Sequence, residues 1–117
     1  MGLPRDLRLR RRADFDAVYK GGRIFNDPLL VLRTLPNNLD HNRYGFVTSK
    51  RLGGAVVRNR VRRRLREIVR ATPSVDGYDI VLSGKVATVG ATFQELTASV
   101  RRLFAKGGLL ADTEASP

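Results

Sequence analysis

The stretch from Ser49 to Arg70 joins a pair of glycines to a segment with the periodicity of an amphipathic helix. At 3.6 residues per turn, one narrow stripe of this segment is apolar and nearly every other position is cationic. The stripe consists of Val57, Val61, Leu65 and Ile68, with Val69 at its edge. The spacing predicts a helix that packs one face on a core and carries arginines on both flanks. We call it the arginine helix.

The basic charge of the chain is concentrated in and just before the arginine helix. Residues 41–66 contain nine Lys and Arg and no Asp or Glu, and the rest of the chain supplies only +2 of the formal net charge of +11. Like charges at i, i+4 destabilise a helix by about 0.2–0.5 kcal/mol per pair, so an exposed helix usually mixes acids with bases. A ladder of arginines therefore indicates a polyanionic partner. The guanidinium fork can donate two hydrogen bonds to a phosphate, which favours nucleic acid.

The length and composition predict one folded cytoplasmic domain. A chain of 117 residues with 42% apolar residues can build a single modest core. It contains no cysteine, so disulfides and thiolate metal sites are excluded, as is common in a reducing compartment. No apolar run approaches the roughly 18 residues that span a bilayer. We expect no membrane contact and no obligate protein partner.

Periodic segments elsewhere predict the order α-β-β-β-α-β-α. The first helix is expected to begin near Asp14, whose carboxylate can cap it, and the last to begin with a capping box of Thr92 and Glu95. Strands are predicted at residues 23–25, 29–34, 43–48 and 78–82, and the last helix at 92–106. This order predicts an α+β fold, a two-layer sandwich with a mixed sheet, in which the strands flanking the arginine helix pair in parallel. The general rule predicts a right-handed crossover there.

The predicted folded domain spans residues 1–106 and begins with a basic arm. Residues 1–12 form a short basic arm, either frayed or ordered by RNA, and residues 107–117 are predicted to be a disordered tail.

No set of residues predicts catalysis by the protein itself. The only histidine, His41, lies in a predicted loop, and one histidine cannot serve as both acid and base. The acids at positions 14, 16, 76 and 79 each suit a cap or a turn. Gly53 and Gly54 are not followed by the Lys and Ser or Thr of a nucleotide-binding loop. Binding to nucleic acid is the function that these residues favour.

Several alternatives stay open at this level. Phe15, Val18 and Tyr19 share one helix face, which is more often core than a ligand platform. A structural RNA-binding protein, such as a ribosomal component, would explain the charge equally well. A duplex DNA reader is less favoured, because both helix flanks are basic and only Asn59 is a good base-reading side chain near the helix start.

The motif Arg58-Asn59-Arg60, set in GGAVVRNRVRRRLRE and preceded by TSKR, closely resembles the signature of the bacterial ribonuclease P protein subunit. LRRRADFDAVYKGG is similar to the first helix of that family, and YDIVL with FQELTASVRRLF to its last strand and helix. The resemblance covers roughly residues 5–106.

The resemblance implies a ribonucleoprotein enzyme that removes the 5′ leader of precursor tRNA, with the chemistry and the Mg²⁺ ions in the RNA subunit. It implies that no catalytic residue lies in this chain. The residues expected to lie against the RNA subunit are Lys50, Arg51, Arg58, Asn59, Arg60, Arg62, Arg63 and Arg66. Phe15 and Tyr19 are expected to line a cleft for the single-stranded leader.

The resemblance also implies a left-handed crossover, contrary to the general rule. Two segments depart from the family pattern. Arg33 stands where the family often has an aromatic residue in the leader cleft, and residues 83–91 lack the usual Ala-Arg-Pro exit from the last strand.

Overall fold

A computed structural model describes residues 7–111 of the chain. It contains helices α1 (Arg12–Gly21), α2 (Ala55–Ala71) and α3 (Phe93–Lys106), and strands β1 (Arg23–Asn26), β2 (Leu30–Pro36), β3 (Arg43–Val47) and β4 (Tyr78–Gly84). The sheet order is β1-β2-β4-β3, with β3 and β4 parallel and the other pairs antiparallel. The predicted mixed α+β fold and the parallel pair around the arginine helix, which is α2, are confirmed. The left-handed sense of this crossover stays a prediction.

The two faces of the sheet carry different helices. Side chains alternate between the faces of a strand, so Leu30, Leu32, Ile80 and Leu82 all point to one face, where they pack with α2 and α3 in the main core. Val81 points to the opposite face and forms a smaller cluster below α1. The sheet forms one layer and α2 with α3 the other, and α1 lies on the opposite face of the sheet.

A sharp turn delivers the chain from β3 into α2. A 3₁₀ turn over Lys50–Leu52 is followed by Gly53, whose φ of +136° is accessible to glycine but strained for other residues. The predicted apolar stripe of the arginine helix is buried at four positions and half-buried at Val57. The four buried side chains are Val61, Leu65, Ile68 and Val69.

The caps of two helices test the local predictions. The capping box of α3 is confirmed, since Thr92 Oγ1 accepts from the Glu95 amide at 3.0 Å and Glu95 Oε1 from the Thr92 amide at 2.8 Å. The prediction that Asp14 caps α1 is wrong. That helix begins two residues earlier, at Arg12, with Arg11 as an N-cap that makes no side-chain hydrogen bond. The Asp14 carboxylate instead accepts a hydrogen bond from Arg43 Nη1 at 3.5 Å.

Both ends of the chain are folded as far as the structure describes them. The Leu9 amide donates to the Tyr44 carbonyl at 2.8 Å, which fixes part of the predicted basic arm on the edge of β3. Residues 107–111, predicted as the start of a disordered tail, are folded onto the body: Leu109 is fully buried, and its carbonyl accepts from the Val75 amide at 2.7 Å. The remainder of the arm, residues 1–6, and of the tail, residues 112–117, lies outside the described residues.

The predicted loop at residues 83–91 also has regular structure. Strand β4 continues to Gly84, and a 3₁₀ turn over Val86–Gly90 leads into α3. Within residues 7–111, no helix is both long and apolar enough to cross a bilayer.

An ion pair with a buried carboxylate joins α3 to the chain just after β1. The Asp27 side chain is only 2% exposed, and its carboxylate accepts hydrogen bonds from Arg102 Nε at 2.9 Å and Ser99 Oγ at 2.6 Å. Burial alone would raise the pKa of Asp27, but the hydrogen bonds from Arg102, Ser99 and the Leu29 amide outweigh it and lower the pKa to about 2. The ionised carboxylate is therefore the form that the fold favours.

This ion pair predicts a specific loss of stability in acid. Because the folded-state pKa lies below the ordinary value of 3.8, the stabilisation is present above about pH 4 and disappears as the pH falls towards 2. The shift corresponds to about 2 kcal/mol of unfolding free energy. We expect Asp27→Asn to be less stable than the original chain at pH 6 and to show a shallower loss between pH 5 and pH 2, measured by urea unfolding. Asp16→Asn, at an exposed position of α1, should leave the pH profile unchanged.

Candidate nucleic-acid interface

The arginines of α2 lie on two flanks separated by an exposed crest. Arg58, Arg62 and Arg66 follow each other at i, i+4 spacing on the flank toward β3, and all three are half-buried. Arg60 and Arg64 form the other flank, toward the 3₁₀ turn over Val86–Gly90. The exposed crest between the flanks includes Asn59 and Arg63. The helix thus presents cations over most of the surface that does not face the core.

Two of these arginines are held in place by neutral acceptors. Arg62 donates from Nη1 to Thr48 Oγ1 and from Nη2 to Asn59 Oδ1. Arg64 donates from Nη1 to the Ala91 carbonyl at 3.3 Å. A neutral oxygen orients a guanidinium group without neutralising it, so the positive charge remains available to an anion.

The motif arginines have an incomplete set of hydrogen bonds. The Nε atoms of Arg58 and Arg60 are buried and have no hydrogen-bond partner among the described residues. A buried donor without an acceptor costs about 1–3 kcal/mol. If these Nε–H groups moved to donate to an acceptor on a bound ligand, that free-energy cost would be recovered.

Acids do not compensate the charge of the predicted RNA-binding surface. Lys50 and Arg51 extend it over the exposed 3₁₀ turn before α2. In the part of the chain that the structure describes, no ion pair joins an acid to any of the eight residues predicted to contact the RNA subunit. Asp79 and Asp27 are instead used by arginines of the body, Arg43 and Arg102. The predicted RNA-binding surface therefore keeps its net positive charge.

The residues predicted to line a leader cleft come together on the other face of the sheet. Phe15 is half-buried against Leu9, Val18 and Val81, and its ring lies directly over Gly45. A Cβ atom at Gly45 would be 2.6 Å from Phe15 Cε1, so only glycine admits the ring at this position. Phe15 is therefore in large part a packing residue.

Tyr19 and Arg33 form a stacked pair on the same face. The guanidinium carbon of Arg33 lies 4.6 Å from the centroid of the Tyr19 ring, within the range of a cation–π contact. Tyr19 is 43% exposed, and Arg33 projects from the middle of β2. Arg33, which departs from the family pattern, thus contacts Tyr19, which matches it.

The sequence reasoning missed neighbours that complete this surface. We define the α1 face as Tyr19, Arg33, Ile24, Val31 and Ser83. Ile24 is opposite Arg33 in the β1–β2 register and is 53% exposed, and Val31 is opposite Ser83 in the β2–β4 register. The Ser83 hydroxyl has no hydrogen-bond partner among the described residues. Because every second residue of a strand lies on the same face, the sequence alone places Val31 beside Arg33. Placing Ile24 and Ser83 beside them requires knowing which strands pair and in which register.

The predicted site therefore consists of two surfaces. The arginine helix packs on the main-core face of the sheet, and the α1 face is on the opposite side. Neither offers a metal site built from protein ligands, since the described residues include no group of three or more His, Cys, Asp or Glu that could hold an ion. Both suit a ligand with phosphates, and the α1 face also offers an aromatic ring.

Comparisons with known proteins agree with this geometry. The family model described as Ribonuclease P matches residues 3–108. A ribonuclease P protein component of Dehalococcoides mccartyi (strain CBDB1) is 38% identical over 107 residues, which cover 92% of this chain and 89% of that protein. One from Gluconacetobacter diazotrophicus is 44% identical over 106 residues, covering 87% of this chain and 91% of the relative.

Solved structures show the same fold. The RNase P protein of Staphylococcus aureus at 2.0 Å superposes with a TM-score of 0.82 and 28% identity, covering 90% of this chain and 98% of that one. The RNase P protein of Thermotoga maritima gives a TM-score of 0.77 and 28% identity, covering 85% and 96%. The match of nearly the whole chain in sequence and in fold shows that it belongs to the family of ribonuclease P protein components, which implies a role in processing the 5′ end of tRNA.

Proposed function

We propose that this chain is the protein subunit of a ribonuclease P and that α2 binds the catalytic RNA subunit. The observation that carries the proposal, in a member of this family, is a cationic surface in which none of the eight residues predicted to contact the RNA subunit forms an ion pair with a described acid. Arg62 and Arg64 are oriented by neutral acceptors, and Arg63 is exposed between them. Such a helix can contact phosphates on both flanks at once, which suits a folded RNA that surrounds it better than a single groove.

We propose that the α1 face holds the single-stranded 5′ leader of precursor tRNA. An exposed aromatic ring can stack on an unpaired base of any identity, which contributes about 1–3 kcal/mol per base. Tyr19 supplies the ring. Arg33, stacked against it, supplies a cation for the leader backbone. A surface of this kind tolerates many leader sequences, as a general tRNA-processing enzyme requires.

We assign no chemical step to a side chain of this protein. Mg²⁺ prefers clustered oxygen ligands, which the described residues do not provide, so we expect the RNA to hold the ions. Bound Mg²⁺ would stabilise the charge that develops at the scissile phosphate during endonucleolytic cleavage. The contribution of the protein is electrostatic and positional, because its arginines reduce the repulsion between two RNA polyanions. The cytoplasmic location stays a prediction.

The first test is cleavage of precursor tRNA by a ribonuclease P RNA at limiting Mg²⁺. The original chain should restore correct 5′ cleavage, and Arg58→Ala with Arg60→Ala should lower the rate at least about tenfold, since a charge-assisted hydrogen bond contributes about 1.5–3 kcal/mol. Raising the Mg²⁺ concentration should recover most of the loss, because Mg²⁺ also screens the phosphates.

A control for this experiment removes the same charge elsewhere. Lys85→Ala with Lys106→Ala changes two cations outside α2 and should keep nearly full activity. If the original chain binds structured RNA tightly but leaves cleavage unaffected, the protein is a structural RNA-binding protein and the proposal is wrong.

Binding to the RNA subunit should also depend steeply on salt. If six or more phosphates are contacted, the affinity should fall by about 10³ or more between 50 and 200 mM monovalent salt, because each contact releases condensed counterions. A filter-binding series over this range measures the slope. A nearly flat response would show that α2 does not bind through its charges.

Tyr19 provides a test of the leader site that does not disturb the core. Tyr19→Ala should weaken binding of precursor tRNA to the assembled enzyme by about 5- to 100-fold, the loss of one stacked base, and should leave mature tRNA binding unchanged. Tyr19→Phe keeps the ring and should bind like the original chain. Equal losses for precursor and mature tRNA in Tyr19→Ala would contradict a leader contact.

A further inference from the structure

A second basic site lies at the amino-terminal end of α1. A cavity of about 380 Å³ is lined there by four arginines, together with Asp14, Leu39 and His41. The arginines are Arg8, Arg10, Arg11 and Arg43. The volume lies within the range of about 300–1,000 Å³ that is typical of ligand sites. Neither the arginine helix nor the α1 face contributes a residue to this lining.

Arg43 forms a rigid wall of the cavity. Its Nε and Nη2 donate to the two oxygens of the Asp79 carboxylate at 2.8 and 2.7 Å, and its Nη1 lies 3.5 Å from Asp14 Oδ2. The hydrogen bond and charge of Asp79 raise the pKa of Arg43 despite partial burial. Since two carboxylates balance its charge, Arg43 fixes the shape of the cavity more than it adds to the positive potential.

The other three arginines of the cavity are not held by the acids that the structure describes. Among the described residues, Arg8, Arg10 and Arg11 take part in no ion pair, and all three are exposed. Their backbone is nevertheless anchored, because Leu9 is buried and its amide donates to the Tyr44 carbonyl. Side chains alternate along an extended segment, so Arg8 and Arg10 project to the same side, away from Leu9.

The start of α1 adds to this positive potential. The N-cap residue, Arg11, provides no side-chain acceptor for the amides of the first turn. Helix amino-terminal amides favour an anion, although this effect is secondary here to the three arginines. A cavity with a fixed wall and three guanidinium groups that pair with no described acid has the charge and the donors of a phosphate site.

We propose that this cavity binds a backbone phosphate of a structured RNA, the RNA subunit of the enzyme. Four guanidinium groups dominate the lining, and among the described residues no Phe, Tyr or Trp is part of it, so its charged donors suit a phosphate better than an unpaired base. Arg43 projects to the α1 side of the sheet, whereas α2 packs on the other side. The inference rests on the proposed function only in identifying which RNA supplies the phosphate.

Two separate contacts would fix the orientation of the protein on the RNA. After α2 has bound, the cavity meets its phosphate at a high effective concentration, so even a weak second contact raises the overall affinity. The cavity lies at the amino-terminal end of α1, and Tyr19 of the α1 face belongs to the carboxy-terminal half of the same helix. The orientation set by both contacts would therefore determine where the leader runs.

The test compares two double variants that remove the same number of positive charges. Arg8→Gln with Arg10→Gln removes two cavity cations, and Lys85→Gln with Lys106→Gln is the matched control. We expect the cavity variant to bind the ribonuclease P RNA at least about tenfold more weakly at 150 mM salt, with a salt slope lower by about 1, because the loss of one bound phosphate lowers the slope by about one. The control should bind within about threefold of the original chain, and thermal unfolding should show that both variants fold.

The same series separates this proposal from the proposed function. If Arg58→Ala with Arg60→Ala weakens RNA binding while the cavity variant behaves like its control, the proposed function stands and the cavity proposal is wrong. If the original chain does not bind the ribonuclease P RNA, the proposed function fails, and the assignment of the cavity to that RNA fails with it.

A titration with inorganic phosphate distinguishes the source of the anion. Saturable NMR shifts at the Leu39 and His41 amides, absent from the cavity variant, together with the specific decrease in RNA affinity, support an RNA phosphate. The same shifts without a decrease in RNA affinity would show that the cavity takes free phosphate, and would overturn the RNA assignment.

Discussion

The burial of the apolar stripe of α2 is the interaction on which the rest of the structure depends. Four side chains, Val61, Leu65, Ile68 and Val69, are removed from water against the sheet and α3. Burial contributes about 1.5–3 kcal/mol for each side chain, whereas a pair of like charges on the helix costs about 0.2–0.5 kcal/mol. The free energy gained by burying the stripe is therefore several times the free energy lost to repulsion among the arginines. The fold can keep many cations on one helix without an acid beside each of them.

Two buried acids of the chain pair with arginines that lie outside α2. Asp79 holds Arg43 where β3 meets β4, and Asp27 holds Arg102 between α3 and the β1–β2 connection. Each pair joins segments that are distant in sequence, so these carboxylates stabilise the body and do not pair with the arginines of α2. Their positions explain how a chain with a net charge of +11 has both a stable core and a strongly positive surface.

The sequence predicted the features that depend on local period and chemistry. The stripe of α2, the capping box at Thr92 and the four strands follow from the spacing of apolar residues and from one hydroxyl next to a helix start. The features that it did not predict depend on distant contacts. Asp14 was expected to cap a helix, but Arg43 competes for its carboxylate, and Leu109 was expected in a disordered tail, but the main core buries it. The stack of Arg33 on Tyr19 and the arginine-lined cavity likewise require strand register, which no local pattern encodes.

The hydrogen bonds of Arg62 have a consequence for the rate at which an RNA complex can form. A free arginine side chain has about 2 kcal/mol of rotamer entropy, much of which is lost when it is immobilised on a ligand. Arg62 has already given up part of this freedom to Thr48 and Asn59, and Arg64 to Ala91. Of its five N–H donors, Arg62 uses two in these contacts, so three remain for a ligand. In the proposed complex, part of the binding surface of α2 would therefore be ordered before the RNA arrives, so a larger share of encounters would lead to a complex.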